Sequence, residues 1–296
     1  MAVSVPIRIT LLSLVFALLG ACGSLFYQPE PGLRGTPDKL GMSYADVRLQ
    51  AADGTQLHGW WLPARLADGE QARGVIYFLH GNAENISTHF WAMSWITRQG
   101  WDLFILDYRG YGLSQGMPDI ASVHLDAQAG LDWAYRQAHS RQLPLVVMGQ
   151  SLGGATAATL VAQNGEGRVN ALILDSAFSG YRRIAREKLA EPWLTTLLRY
   201  PLAWTIPDEY SPEHYLAKRP PIPLLVMHGC ADNIVPCSHG KRLHQLAGEP
   251  AWLWLDPDKR HLEMLTSAHW RRQLLDWLNT QVLTQPSGDE RHSAAD

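Results

Sequence analysis

The sequence predicts an α/β fold on a mostly parallel sheet, and three observations carry that reading. From about residue 45, short apolar runs alternate with stretches of helical length, which is the pattern of βαβ units. Most of these runs are apolar almost without a break, as strands covered on both faces must be. The unusual polar residues of the chain gather where the runs stop, and in an open parallel sheet ligands sit at the carboxyl ends of the strands. With 296 residues and 46% hydrophobic content, there is material for a sizeable core. A formal net charge of −3 and no long Lys/Arg run argue against nucleic acid as a partner.

The amino terminus comes first. Arg8 precedes the uncharged run 9–21, "ITLLSLVFALLGA", which is 13 residues long. A membrane-spanning helix needs about 20 apolar residues, so the run is short for a permanent anchor. It has the layout of a secretory signal peptide with a small-residue exit site. The tetrapeptide "LGAC" at 19–22 resembles the lipobox of bacterial lipoproteins. That resemblance implies cleavage before Cys22, acylation of Cys22, and a mature chain held on a periplasm-facing membrane of the bacterial envelope. Residues 1–21 are then the signal peptide, and the Pro/Gly-rich stretch 22–44 is a polar tether to the folded domain at 45–283.

Within the domain the elements follow in order. "DVRLQAADGTQLHGWWLPA" (46–64) reads as two extended runs around a "DG" turn, a hairpin. "GVIYFLHGN" (74–82) is a buried central strand, and "WDLFILDYRGYG" (101–112) repeats the design. "LPLVVM" (143–148), "VNALILDSAF" (169–178), "PIPLLVMHG" (221–229) and "PAWLWLDP" (250–257) complete the set. Helices are expected at about 87–99, 118–140, 152–163, 237–248 and 262–283. The connection at 179–220 exceeds an ordinary crossover. It carries several prolines and the apolar residues Trp193, Leu194, Leu197 and Leu198, and reads as a small helical lid over the strand ends. The tail at 284–296 is polar and expected to be disordered.

The chemistry collects at the strand ends. "GQSLGG" (149–154) places Ser151 between glycines directly after a buried strand. A turn tight enough to exclude larger residues would lift its hydroxyl clear of the backbone. A serine hydroxyl is a poor nucleophile at neutral pH, so it needs an adjacent base and that base an orienting acid. His261 in "DKRHLEM" and Asp232 in "HGCADNIVP" lie just past strand ends and supply both roles in the order Ser, Asp, His. Asp175, in "LILDSAF", is a rival acid at another strand end. His269 falls in a helical stretch, and His80 and His228 precede glycines at strand ends, where histidines more often brace loops than react.

"HGNAEN", "DYRGYGLSQG", "GQSLGG" and "HGCADNIVP" together resemble serine α/β hydrolases of the lysophospholipase and peptidase-like branch, over residues 45–280. The resemblance implies Ser151 as nucleophile, His261 as base, Asp232 as orienter, and an oxyanion hole from the N–H groups of Leu152 and Asn82. The activity it implies is cleavage of a carboxylic ester or thioester, of a lipid or small molecule, through an acyl-enzyme. Amide or peptide cleavage on the same triad, and a non-catalytic envelope lipoprotein, are the alternatives. No cofactor or metal is called for: there is no zinc-spaced His/Cys cluster and no phosphate loop. Cys230 and Cys237 bracket Asp232, and in an oxidising compartment they are candidates for a disulfide.

Overall fold

The computed structural model describes residues 26–191, 193–196 and 198–284. The expected signal peptide, Cys22, nearly all of the tail, Leu197, and the side chains of Trp193 and Leu194 lie outside that description.

Two short strands lie apart from the main sheet: β1 (Gln28–Pro29) pairs in parallel with β5 (Ala83–Glu84). The main sheet has eight strands. These are β2 (Ala45–Gln50), β3 (Gln56–Leu62), β4 (Gly74–Leu79), β6 (Trp101–Asp107), β7 (Leu145–Gln150), β8 (Ala171–Asp175), β9 (Leu224–Gly229) and β10 (Ala251–Asp256). Their spatial order is β10-β9-β8-β7-β4-β6-β3-β2. The expected hairpin forms, with Gln50 opposite Gln56, and β3 runs antiparallel to both β2 and β6. All other pairings in the sheet are parallel.

The central strands show why their sequences read as unbroken apolar runs. Val75, Tyr77 and Leu79 of β4 point into one core, and Ile76 and Phe78 into the other. β7 divides likewise, with Leu145 and Val147 on one face and Val146 and Met148 on the opposite one. Helices cover both faces. α1 (Ile86–Ser94) inserts Phe90 and Met93, and α8 (Ala268–Leu278) inserts Leu274 and Leu278, into one core. α2 (Ile120–His139), α3 (Leu152–Asn164) and α7 (Cys237–Ala247) pack on the other. The helix starts carry recognisable caps: Asp119 and Ser122 form a capping box on α2, and Asn85 accepts the Ser87 N–H on α1.

Two expectations are corrected. Residues 26–44 do not behave as a tether. Phe26 and Tyr27 are buried, and the Phe26 ring lies 5.2 Å from Tyr181 and 6.2 Å from Phe178. Burying two aromatic side chains is worth several kcal/mol, which outweighs the Pro/Gly content that suggested a linker. The last helix also starts later than 262. Ser267 caps α8 through the His269 N–H, and residues before it form a short turn at Met264–Thr266.

The 179–220 insert holds α4 (Tyr181–Ala190), α5 (Trp193–Thr196) and α6 (Arg199–Trp204), followed by two short 3-10 turns. The buried residues Tyr181, Ile184 and Ala185 seat α4 on the main core.

Candidate active site

Ser151 stands between the end of β7 and the first residue of α3, at φ 54° and ψ −117°. For a non-glycine residue positive φ costs about 1–2 kcal/mol, and here the surroundings enforce it. The Ser151 N–H donates to the Asp175 carbonyl at 2.9 Å, while the Ser151 carbonyl accepts from the Gly154 N–H at 3.0 Å. Two glycines make the turn possible. A Cβ on Gly149 would stand 2.2 Å from the Gly153 carbonyl oxygen, and one on Gly153 would stand 2.2 Å from that of Leu79. The serine therefore sits between glycines because strand and helix backbones pass too close for any side chain. The Leu152 N–H opens α3, where the helix dipole favours negative charge.

The candidate acid and base come from neighbouring loops past β9 and β10. His261 Nδ1 donates to Asp232 Oδ2 at 2.6 Å, which leaves Nε2 as the acceptor. Asp232 Oδ1 accepts from the N–H groups of Ile234 at 2.8 Å and Val235 at 2.9 Å. His228 Nε2–H donates to the Val235 carbonyl at 2.8 Å and stands 3.5 Å from Asp232 Oδ2. Burial alone would raise the Asp232 pKa. The nearby His228 imidazole, the hydrogen bond from His261 and the Val235 N–H outweigh that, and hold the carboxyl below the ordinary range. The two loops also bond to each other, Ala231 N–H to the Lys259 carbonyl at 3.0 Å and Cys230 N–H to that of Asp256 at 2.7 Å. The sulfurs of Cys230 and Cys237 are joined across the acid loop, with their Cα atoms 4.9 Å apart.

The rival acid is engaged elsewhere. Asp175 is fully buried, accepting from Gln150 Nε2 at 2.9 Å and from the Ser176 hydroxyl at 3.1 Å. Burial raises its pKa, against the opposing effect of those two donors. Its neighbourhood still serves the site: the Leu262 N–H donates to Ser176 Oγ at 3.3 Å, which brings the His261 loop to the end of β8, beside Ser151. No hydrogen bond joins His261 Nε2 to Ser151 Oγ among the described residues, and such bonds commonly tighten only when substrate binds. His269 lies in the first turn of α8, and its contact is the ring of Trp270.

The loop bearing Asn82 closes the other side. A Cβ on Gly81 would lie 3.8 Å from Ser151 Cβ. The N–H groups of Asn82 and Leu152 donate to no protein group among the described residues. Sequence reading missed the braces of this loop. Tyr108 Oη donates to the His80 carbonyl at 3.1 Å, Tyr111 Oη donates to the Asn82 carbonyl, and Asp107 Oδ1 accepts the Ile86 N–H at 2.9 Å. All three belong to "DYRGYG", a stretch that carried the family resemblance without revealing which groups it holds. Arg109 of the same stretch faces away, bound to Asp126 and Asp53 at 2.7 Å each. Among the described residues no group of three or more His, Cys, Asp or Glu is placed to hold a metal. A depression of about 330 Å³ opens between α4 and α6, lined by Arg183, Arg186, Glu187, Ala190, Arg199 and Tyr200, but none of the three residues Ser151, Asp232 and His261 borders it.

The sequence profile of the serine aminopeptidase, S33, family matches residues 70–218. The chain belongs to that family. It is 33% identical over 258 residues to the uncharacterized protein YfhR of Escherichia coli K12, covering 86% of each chain. Among solved structures it resembles the esterase Pf2001 of Pyrococcus furiosus, with a TM-score of 0.68 at 19% identity over 87% of this chain and 98% of that one. A soluble variant of the monoglyceride lipase of Saccharomyces cerevisiae aligns with a TM-score of 0.63 at 17% identity, over 84% of this chain and 99% of that one. These structural likenesses establish the α/β-hydrolase fold, and the family makes the chain a hydrolase.

Proposed function

We propose that this hydrolase cleaves carboxylic esters or thioesters through an acyl-enzyme on Ser151. The observation that carries the reading is the 2.6 Å pair of His261 Nδ1 and Asp232 Oδ2 on loops adjoining the strained Ser151 turn. In this mechanism His261 Nε2 takes the proton from Ser151 Oγ as the oxygen attacks the carbonyl carbon. The negative oxygen of the tetrahedral intermediate is held by the N–H groups of Asn82 and Leu152. Each such donor typically contributes about 3 kcal/mol to the transition state. The imidazolium, stabilised by Asp232, then protonates the leaving alkoxide or thiolate as the C–O or C–S bond breaks. His261 next draws a proton from the water that attacks the acyl-serine, and returns it to Ser151 Oγ as the acyl C–O bond breaks and the acid leaves. The lipase and esterase of like fold favour an ester substrate, lipid or small molecule. The description of the family favours an amide or peptide as the second reading.

Fluorophosphonate labelling, followed by nitrophenyl esters of increasing acyl length and aminoacyl anilides, tests both. Labelling at Ser151 with ester turnover is the expected result. Labelling with anilide turnover alone moves the assignment to the second reading, and neither labelling nor turnover removes both.

The same proposal places the enzyme on the bacterial envelope, anchored by an acylated Cys22, with the membrane as its partner surface. Cys22→Ser should release it from the membrane fraction or stop its processing, and continued palmitate incorporation in that variant would refute the anchor. The 179–220 insert is proposed as the cover that sets acyl preference. Lys188 Nζ of α4 supports this by reaching the Asn233 carbonyl, beside Asp232, at 2.9 Å. Polar replacement of Trp193 or Leu197 is expected to shift the ratio of long-chain to short-chain ester turnover. An equal loss at every chain length would mark the insert as a plain crossover.

A further inference from the structure

The loop that carries Asn82 does not hold itself in place. Glu84 sits at φ 64°, a left-handed conformation that non-glycine residues resist. Besides the braces from Asp107, Tyr108 and Tyr111, groups that hold it come from a segment some fifty residues earlier in the chain. The Gln28 N–H donates to Asn82 Oδ1 at 2.9 Å, and the Asn82 carbonyl lies 3.4 Å from the same nitrogen. The Glu30 N–H donates to the Glu84 carbonyl at 3.2 Å, completing the β1–β5 pairing. Asn85 Nδ2 returns two bonds, to the carbonyls of Glu30 at 3.0 Å and Gly32 at 2.6 Å. Arg34 closes the segment. Its N–H donates to Ser87 Oγ at 3.0 Å, and its guanidinium reaches Glu84 Oε1 at 3.0 Å. Both oxygens of Asn82 are thus engaged, by Gln28 and Tyr111, while its N–H has no protein acceptor among the described residues.

We propose that residues 26–34 form a strap whose task is to aim the Asn82 N–H at the developing oxyanion, with Gln28 as the principal positioning residue. The inference rests on the serine-hydrolase reading and deepens it. Gln28 and Arg34 act through Asn82 and Glu84 and touch no reacting atom. At its other end the strap is pinned by Phe26, against Phe178 and Tyr181 at the root of the 179–220 insert. One segment therefore links the insert's root to the oxyanion loop. A donor aimed only at transition-state charge changes kcat and leaves ground-state binding alone. Loosening the strap accordingly lowers kcat with little change in KM.

The test uses the full chain, a short nitrophenyl ester, and an alkyl trifluoromethyl ketone, whose serine adduct places an oxyanion in the same site. Gln28→Pro deletes the N–H that reaches Asn82. It is expected to lower kcat by roughly tenfold or more, with KM within about twofold, and to weaken the ketone by the same factor as kcat/KM. Arg34→Ala gives a smaller loss of the same kind. Glu84→Gly should restore part of it, because glycine takes positive φ without help. If Gln28→Pro fails to fold, the Arg34→Ala and Arg34→Ala/Glu84→Gly pair decides the matter. Wild-type kcat and ketone affinity in the folded variants overturn the strap. So does a loss confined to the fraction of active enzyme, with ketone affinity of that fraction unchanged, since that marks structural support only. A wild-type enzyme that neither turns over esters nor labels at Ser151 removes the serine-hydrolase reading and the strap with it. An active wild type with indifferent strap variants removes the strap alone.

Discussion

Two carboxylates end adjacent strands of the sheet, and their fates are opposite. Asp175 closes β8 and Asp232 follows β9, and both are buried. The Asp175 pKa is raised and that of Asp232 is lowered. Burial pushes both upward, so the difference lies in the donors. Asp175 receives one amide and one hydroxyl. Asp232 receives two backbone N–H groups and an imidazole, with a second imidazole 3.5 Å away. Position at a strand end does not set these two carboxylates apart. The loop that follows does, by turning its own N–H groups onto the carboxylate.

The comparison breaks most sharply in activity. Ser151→Ala sets the floor, with ester hydrolysis expected to fall by roughly 10⁴ to 10⁶ in kcat while circular dichroism stays native. His261→Ala should fall to about the same floor, because the residues act as a unit. Asp232→Asn is expected to cost about 10² to 10⁴ through the wrong imidazole tautomer, and Asp175→Asn less than about tenfold. If Asp175→Asn is the more damaging of the two, with both variants folded, the acid has been assigned to the wrong strand.

Stability sharpens the contrast. The depressed pKa of Asp232 contributes stability above its unfolded value, near 4, and that contribution disappears as pH falls through the folded value. Thermal melts of wild type and Asp232→Asn should therefore differ most at pH 6–7 and converge in acid. Asp175 has the opposite sign. Its raised pKa costs stability once pH climbs through the folded value and costs nothing in strong acid. Asp175→Asn should melt at pH 7 no lower than wild type, and a Tm drop of more than about 4 °C would show that its two donors outweigh its burial. The smallest effect on activity concerns the disulfide across the acid loop. A ring this short contributes roughly 2–3 kcal/mol in the chain-entropy account. Cys230→Ser/Cys237→Ser is expected to lower the Tm by several degrees and kcat by no more than about threefold, as the Asp232 loop loses one of its constraints. An unchanged Tm would mean that the hydrogen bonds to the Lys259 and Asp256 carbonyls hold the loop unaided.

Much of this was legible along the chain because it is local. The strands were readable because both faces of a central parallel strand are covered, which leaves a continuous apolar signature such as "VIYFL". The Ser151 turn was readable because backbones approaching within about a Cβ radius admit only glycine, and glycine is visible in a sequence. The candidates Ser151, Asp232 and His261 were readable from the strand ends taken together with the family resemblance. What the tertiary structure alone decided is which distant groups meet. Asp175 and Asp232 both end strands in sequence, where the family resemblance favours Asp232, but the donors folded around each are visible only in the structure. Phe26 and Tyr27 sit in a stretch with the composition of a linker, and become core only because Phe178 and Tyr181 are waiting some 150 residues later. The Gln28 contact with Asn82 is made by a backbone N–H, which every residue but proline carries. Such a bond leaves no trace in side-chain identity, so folding alone reveals it.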